Sequence, residues 1–143
     1  MVVVDTNILV YAADADSEWH LKSRAWIEKW RSRPDAWYTT WPILYEFMRV
    51  TTHRRVLKKP WRAPRAWAFV SALLASPGLG VLVPTERHAD VANEVIDELP
   101  WLAGNLIYDA HTAILMREHG VLRICTRNAD FHRFSFLEVV DPV

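Results

Sequence analysis

Val2-Val3-Val4-Asp5-Thr6-Asn7 sets three consecutive β-branched residues directly against three polar residues that end strands and cap helices. Downstream the chain keeps alternating between these two patterns. Residues 18–31 carry Leu21, Ala25, Trp26 and Trp30 at helical spacing, with Lys, Arg and Glu between them, and Pro34-Asp35 ends the run. Ala36-Trp37-Tyr38-Thr39 reads as a second strand, and Pro42 opens a helix through Ile43, Leu44, Phe47 and Val50. Residues 53–64 hold Pro60 and Pro64 and read as a loop, 65–75 as a helix stopped by Pro77-Gly78. Val81-Leu82-Val83 is expected to be a third, buried strand, followed by an amphipathic helix over 87–99 and a turn over 100–105. A helix over about 107–119 closes at Gly120, then come a strand over 122–125 and a short edge strand over 137–140. Short apolar strands separated by helices require crossover connections. The expected fold is therefore a three-layer α/β/α sandwich around a central, mainly parallel sheet of four to five strands, in one domain spanning 1–143.

Composition narrows the function classes. Of 143 residues, 51% are apolar and 24% charged, which is ordinary for a globular domain. Lys and Arg number 17 against 17 Asp and Glu, so attraction to nucleic acid has to come from a local patch. The single cysteine, Cys125, excludes a disulfide framework and a four-cysteine zinc site, and suits a reducing cytoplasm. No apolar run approaches the roughly 18 residues of a membrane span, and Asp5 interrupts the N-terminal valines too early for a signal-peptide core. Eight tryptophans in a domain this small point to an exposed apolar surface and a protein partner.

In an open parallel sheet, ligands bind beyond the carboxyl ends of the strands. Asp5 follows the first strand, Glu46 lies on the helix after the second, Asp109 opens the helix before the fourth, and Asn128 and Asp130 follow that strand. Asp109 shares its helical face with Asn105, Leu106, Thr112, Ala113 and Met116, a largely apolar setting that is poor for a solvated carboxylate. No Lys or Arg accompanies Asp5 or Asp109 closely in sequence, so a divalent cation is the economical partner for them. Each residue also has a plainer reading. Asp5 can cap a helix beginning near Thr6, Glu46 can pair with Arg49, Asp109 can face a helix dipole, and Asn128 and Asp130 can hold a turn. Two carboxylates about 4 Å apart repel by about 4 kcal/mol at an effective dielectric of about 20. Gathered together without a cation, such acids should bind protons more tightly than usual.

The strand running into Asp5-Thr6-Asn7, the Glu on the helix after strand two, Ile107-Tyr108-Asp109-Ala110, and Thr126-Arg127-Asn128-Ala129-Asp130-Phe131, in this order, resemble a PIN domain over essentially the whole chain. Length and order are similar to the VapC toxins of bacterial toxin–antitoxin pairs. The resemblance implies that Asp5, Glu46, Asp109 and an acid within 128–130 bind Mg²⁺ or Mn²⁺ and catalyse RNA hydrolysis, leaving a 5′-phosphate and a 3′-hydroxyl. It also implies a homodimer and a cognate VapB-like antitoxin, laid as an amphipathic segment in an apolar groove. Many relatives carry Asp-x-Asp-Phe where this chain has Asn128-Ala129-Asp130-Phe131, so Asp130 is expected to supply the fourth carboxylate. Thr6, Asn7, Thr126 and Asn128 are candidates for supporting the acids, a plain turn role being the alternative.

No Asp or Glu occurs between Glu46 and Glu86, whereas Arg49, Arg54, Arg55, Lys58, Lys59, Arg62 and Arg65 do, with Trp61 and Trp67 among them. That stretch suits RNA phosphates and unstacked bases, or an acidic antitoxin segment, or simply a solvated loop. The six histidines form no zinc motif, and His111, two residues from Asp109, is expected to point elsewhere on its helix. Two rivals stand beside the nuclease. Asn128 keeps open a catalytically silent PIN-like module that binds RNA or protein; a receiver-type phosphotransfer domain would need a lysine where this chain has Arg127.

Overall fold

A computed structural model describes all of residues 1–143. The elements are β1 (Val3–Val4), α1 (Thr6–Ala13), α2 (His20–Arg31), β2 (Trp37–Thr39), α3 (Trp41–Thr51), α4 (Ala63–Leu74), β3 (Leu79–Val81), α5 (His88–Glu98), α6 (Leu106–His119), β4 (Arg123–Cys125) and β5 (Glu138–Val140), with a short 3-10 helix over Ala129–Arg133. The five strands form one sheet in the order β3-β2-β1-β4-β5, and every neighbouring pair is parallel. The sheet is thus wholly parallel, at the upper end of the expected strand count. No helix is long and apolar enough to cross a membrane.

β1 is central because all of its residues are wanted inside. Val2, Val3 and Val4 are at most 2% exposed and join Ile8, Leu9, Trp37, Phe47, Leu115 and Ile124 in the main core. The chain leaves β1 toward β2 on one side and pairs with β4 on the other, so the topology reverses direction at β1. α6 is sealed at its end by Gly120, whose φ of 70° is the left-handed conformation that glycine adopts without a Cβ clash.

β3 differs from expectation. The ladder runs Trp37↔Leu79, Tyr38↔Gly80 and Thr39↔Val81, two residues earlier than the valine-rich run, and β3 is half-buried at the sheet edge. Backbone pairing with β2 decides the register: Trp37 N–H donates to Gly78 O at 3.1 Å, and Leu82 N–H to Thr39 O at 2.9 Å. Gly80 also lies flat against the Tyr38 ring, where a side chain would sit 3.0 Å from it. The 3-10 helix at 129–133 was expected only as a turn; the Asn128 side chain caps it by accepting from Asp130 N–H at 3.0 Å. Five of the eight tryptophans are buried or half-buried, and Trp41, Trp67 and Trp101 are exposed.

Gly78 has no room for a side chain, because a Cβ there would run into the Asp35 carbonyl. Gly78→Ala is expected to lower unfolding stability by about 1–3 kcal/mol in urea titration, by forcing the β2–β3 approach apart. Stability equal to the parent would contradict this register.

Candidate active site

The parallel register of β1 and β4 pairs Val4 with Cys125, so the next residues, Asp5 and Thr126, emerge side by side at the carboxyl edge of the sheet. The Thr126 hydroxyl donates to Asp5 Oδ2 at 2.7 Å. Asn7 Nδ2 donates to the same oxygen at 3.2 Å and to Thr126 Oγ1 at 2.9 Å, while the Thr6 amide caps Asp5 Oδ1 at 2.8 Å. Asp5 therefore serves as the N-cap of α1 and is also a buried acid, with both readings of the sequence satisfied at once.

The cleft beyond this edge is lined by Asp5, Glu46, Asp109, Asn128 and Asp130, together with Pro42, Ile43, Arg49, Asn105, Tyr108, His111 and Thr112. All four acids predicted from sequence thus share one cleft, contributed by β1, α3, α6 and the segment after β4. They share it unequally. Asp5 is 8% exposed at the bottom and Asp109 is half-buried, whereas Glu46 and Asp130 stand exposed at the rim. Glu46 reaches Arg49 at 3.6 Å and the Thr6 hydroxyl at 3.5 Å, and Asp130 rides on the 3-10 helix. No three His, Cys, Asp or Glu side chains are drawn tightly enough together to form a ready-made metal cage. The crowded pocket expected from sequence is in fact a looser arc, because its two outer acids belong to solvent-facing elements.

Asn128 acts as a link between acids: its Nδ2 donates to Asp109 Oδ2 at 3.4 Å, and its backbone N–H donates to Thr126 Oγ1 at 2.9 Å. Arg127, the cation next to Thr126, turns away; it lies over the Trp19 ring at 4.4 Å and pairs with Asp141 at 3.7 Å. Burial pushes the Asp5 carboxyl above its usual range, aided by Glu46 and opposed by its donors Thr126, Thr6 and Asn7. Asp109 is pushed up to about 6, first by burial, then by the charge of Asp5, with Asp130 and Glu46 adding to it and Asn128 opposing. Burial outranks mutual repulsion at both, whereas the sequence suggested repulsion as the main cause. The donors here are hard oxygens with room for water, a set that suits Mg²⁺ or Mn²⁺ held by one or two carboxylates and completed by substrate phosphate.

Several sequence expectations resolve differently. His111 does line the cleft, although it is two residues from Asp109 on the same helix, because the cleft is wide enough to take in both. Burial, and then His88, hold its imidazole below the usual range. Tyr108, Asn105 and Thr112 also line the cleft; Asn105 and Thr112 stand at helical spacing from Asp109, whereas Tyr108 carries no such signal in the sequence. Of the basic stretch only Arg49 reaches the cleft; Arg54, Arg55, Lys58, Lys59 and Arg62 are exposed on and after the loop that follows α3. Arg65 stacks over Trp61 at 4.2 Å, and Trp61 packs edge-on against Phe47, so part of that stretch is structural. Cys125 is fully buried, and burial raises its thiol far above reactivity.

The raised Asp109 fixes a sign. Folded protein holds this proton more tightly than unfolded chain, so the contribution favours folding below about pH 4 and is lost as pH rises through about 6. In chelator, the fall in Tm between pH 4 and 7 is expected to be shallower in Asp109→Asn than in the parent. Parallel curves by scanning calorimetry would contradict the shift.

The PIN domain family model matches residues 2–137 of the chain. The chain is similar to ribonuclease VapC43 of Mycobacterium tuberculosis, 34% identical over 143 residues that span 100% of this chain and 96% of that one. Ribonuclease VapC33 of the same organism is 31% identical, covering 100% and 99% of the two chains. Among solved structures, the sarcin-ricin loop cleaving toxin VapC20 of M. tuberculosis aligns with a TM-score of 0.64 at 19% identity, over 97% of this chain and 98% of that one. VapBC2 from Rickettsia felis, bound to a DNA fragment from its promoter, aligns with a TM-score of 0.69 at 17% identity, over 98% of each chain. The last two carry the fold, and the first two carry the sequence relationship along the full chain. Sheet order, acid-lined edge and these relatives agree: the chain belongs to the PIN-domain family, in its VapC ribonuclease branch.

Proposed function

We infer that this protein is a divalent-metal-dependent endoribonuclease and the toxin of a VapBC-type pair, with Asp5, Asp109, Glu46 and Asp130 as its acidic site. The observation that carries this reading is Asp5: a carboxylate buried at the sheet's switch point, sharing a cleft with three further acids and forming an ion pair with no lysine or arginine. Asp5 and Asp109 would hold Mg²⁺ or Mn²⁺, with Glu46 and Asp130 reaching in from the rim. Such an ion supplies charge for a phosphodiester oxygen and a lowered pKa for a water.

The chain's own residues do the rest. Thr126, Asn7 and the Thr6 amide fix both oxygens of Asp5, so that it meets its ligand without rearranging. Asn128 orients Asp109 through a single longer bond to Oδ2, at 3.4 Å. Asn128 therefore contributes orientation, and the charge in that segment comes from Asp130. Arg49, on the rim, offers a cation to the RNA strand once Glu46 releases it, and the exposed cations from Arg54 to Arg62 extend that attraction outward.

The antitoxin seat we assign to the groove between α1, α2 and α4. It is lined by Ala12, Ile27, Trp61, Phe69 and Leu73 with Arg24 and Arg31 at its margins, which suits an amphipathic segment with acidic flanks. Exposed Trp41 and Tyr45 on α3 supply apolar surface for a homodimer. The protein works on RNA in the cytoplasm, without a membrane.

Asp5→Asn and Asp109→Asn are each expected to lower Mn²⁺-dependent RNA cleavage by about 100-fold or more with the fold retained. Thr126→Ala, which removes one donor and no charge, should cost about 10- to 100-fold. Unchanged cleavage in both Asn variants would end the assignment.

A further inference from the structure

His111 and Glu118 lie two turns apart on one face of α6, and the first residue of α5 lies against both. His88 Nδ1 is 2.8 Å from Glu118 Oε2, and its ring stands edge-on to His111 with centroids 5.9 Å apart. The Glu118 side chain is wholly buried, and its other oxygen accepts from both the amide and the hydroxyl of Thr85. Burial opposes its charge, yet the Thr85 hydroxyl, His88 and the Thr85 amide together hold its carboxyl down to about 2. Arg87 donates to the Glu118 carbonyl, and Val91, Val95 and Ile114 close an apolar cluster in the same α5–α6 seam. Nothing in the acidic site uses this network. A buried charge with this many bonds is costly to assemble, and what it secures is the position of the His88 ring.

His111 lines the cleft beside its contact with His88, and its imidazole makes no hydrogen bond within the protein. The cleft must receive a polyanion although four of its lining groups are carboxylates. Among its nitrogen donors, Arg49 is paired with Glu46 and Asn128 is bonded to Asp109, which leaves Asn105, exposed before α6, and His111, half-buried against His88. His111 is uncommitted, and its ring is already oriented. A neutral imidazole keeps one N–H to give.

We propose that His111 contacts RNA in the cleft, donating its imidazole N–H to a non-bridging phosphate oxygen of the bound strand, and that His88, clamped by Glu118 and Thr85, positions it. This deepens the ribonuclease reading and rests on it. The test combines Mn²⁺-dependent cleavage kinetics with fluorescence anisotropy of a labelled single-stranded RNA held in Ca²⁺. His111→Ala is expected to weaken RNA binding and raise KM by about 5- to 10-fold, with kcat within about twofold of the parent. Its Mn²⁺ affinity by calorimetry should be unchanged. His111→Asn, which keeps an N–H donor, should recover most of the loss. His88→Gln, which retains a partner for Glu118 but removes the ring, should weaken binding by a smaller factor, and in the double variant the two losses should not add. Parent-like RNA affinity in His111→Ala overturns the contact, and full additivity overturns the positioning role. A parent that binds RNA through His111 but does not cut it overturns the nuclease reading and leaves the contact standing. A parent that neither binds nor cuts overturns both.

Discussion

An ionised carboxylate taken out of water must be met by donors or by a cation, and Asp5 is such a group at the centre of the sheet. Three donors meet it: a threonine hydroxyl after β4, an asparagine two residues on, and the first amide of α1. They fix its direction without cancelling its charge, since burial still raises its affinity for a proton. The rest of the architecture follows this compromise. Three valines hold β1 inside, the parallel register sets Thr126 beside Asp5, and α6 brings a second half-buried acid to the same edge. A divalent ion bound there, as proposed, would resolve the remaining charge, which is why the reading of function depends on this one residue more than on any other.

Much of this was legible in the sequence because strand ends and polar residues coincide. Val2 to Val4 running into Asp5 locates both a central strand and its chemical end, and the four acids follow the order in which the fold brings them to one cleft. What local pattern could not supply was depth. Glu46 and Asp130 carry the same charge as Asp5 and Asp109, yet sit at the rim, because a surface helix face and a 3-10 turn leave them in water. β3 was misplaced by two residues for a related reason. Hydrophobicity favoured Val81 to Val83, but the hydrogen bonds of β2 were already directed at Gly78 through Leu82.

His111 and Glu118 show a further limit. Two residues of separation turn His111 well away from Asp109 around α6, which is sound helix geometry, but a cleft can be wider than one helical face. Glu118 near the end of an apolar helix resembles a solvated last-turn acid. Only the packing of α5, with Thr85 and His88 brought to it, makes it a buried and fully bonded charge. The basic stretch after α3 divides in the same way: Arg49 belongs to the cleft, Arg65 to Trp61, and the others to solvent.

The central claim is that a divalent ion would bind Asp5 and Asp109 in competition with protons. Calorimetric titration of Mn²⁺ in buffers of different ionisation enthalpy counts the protons displaced on binding. With Asp109 pushed up to about 6, the account predicts proton release near pH 6 that is smaller at pH 8, and the raised Asp5 adds to the release. Binding with no proton release at pH 6, or no binding at either pH, would contradict it.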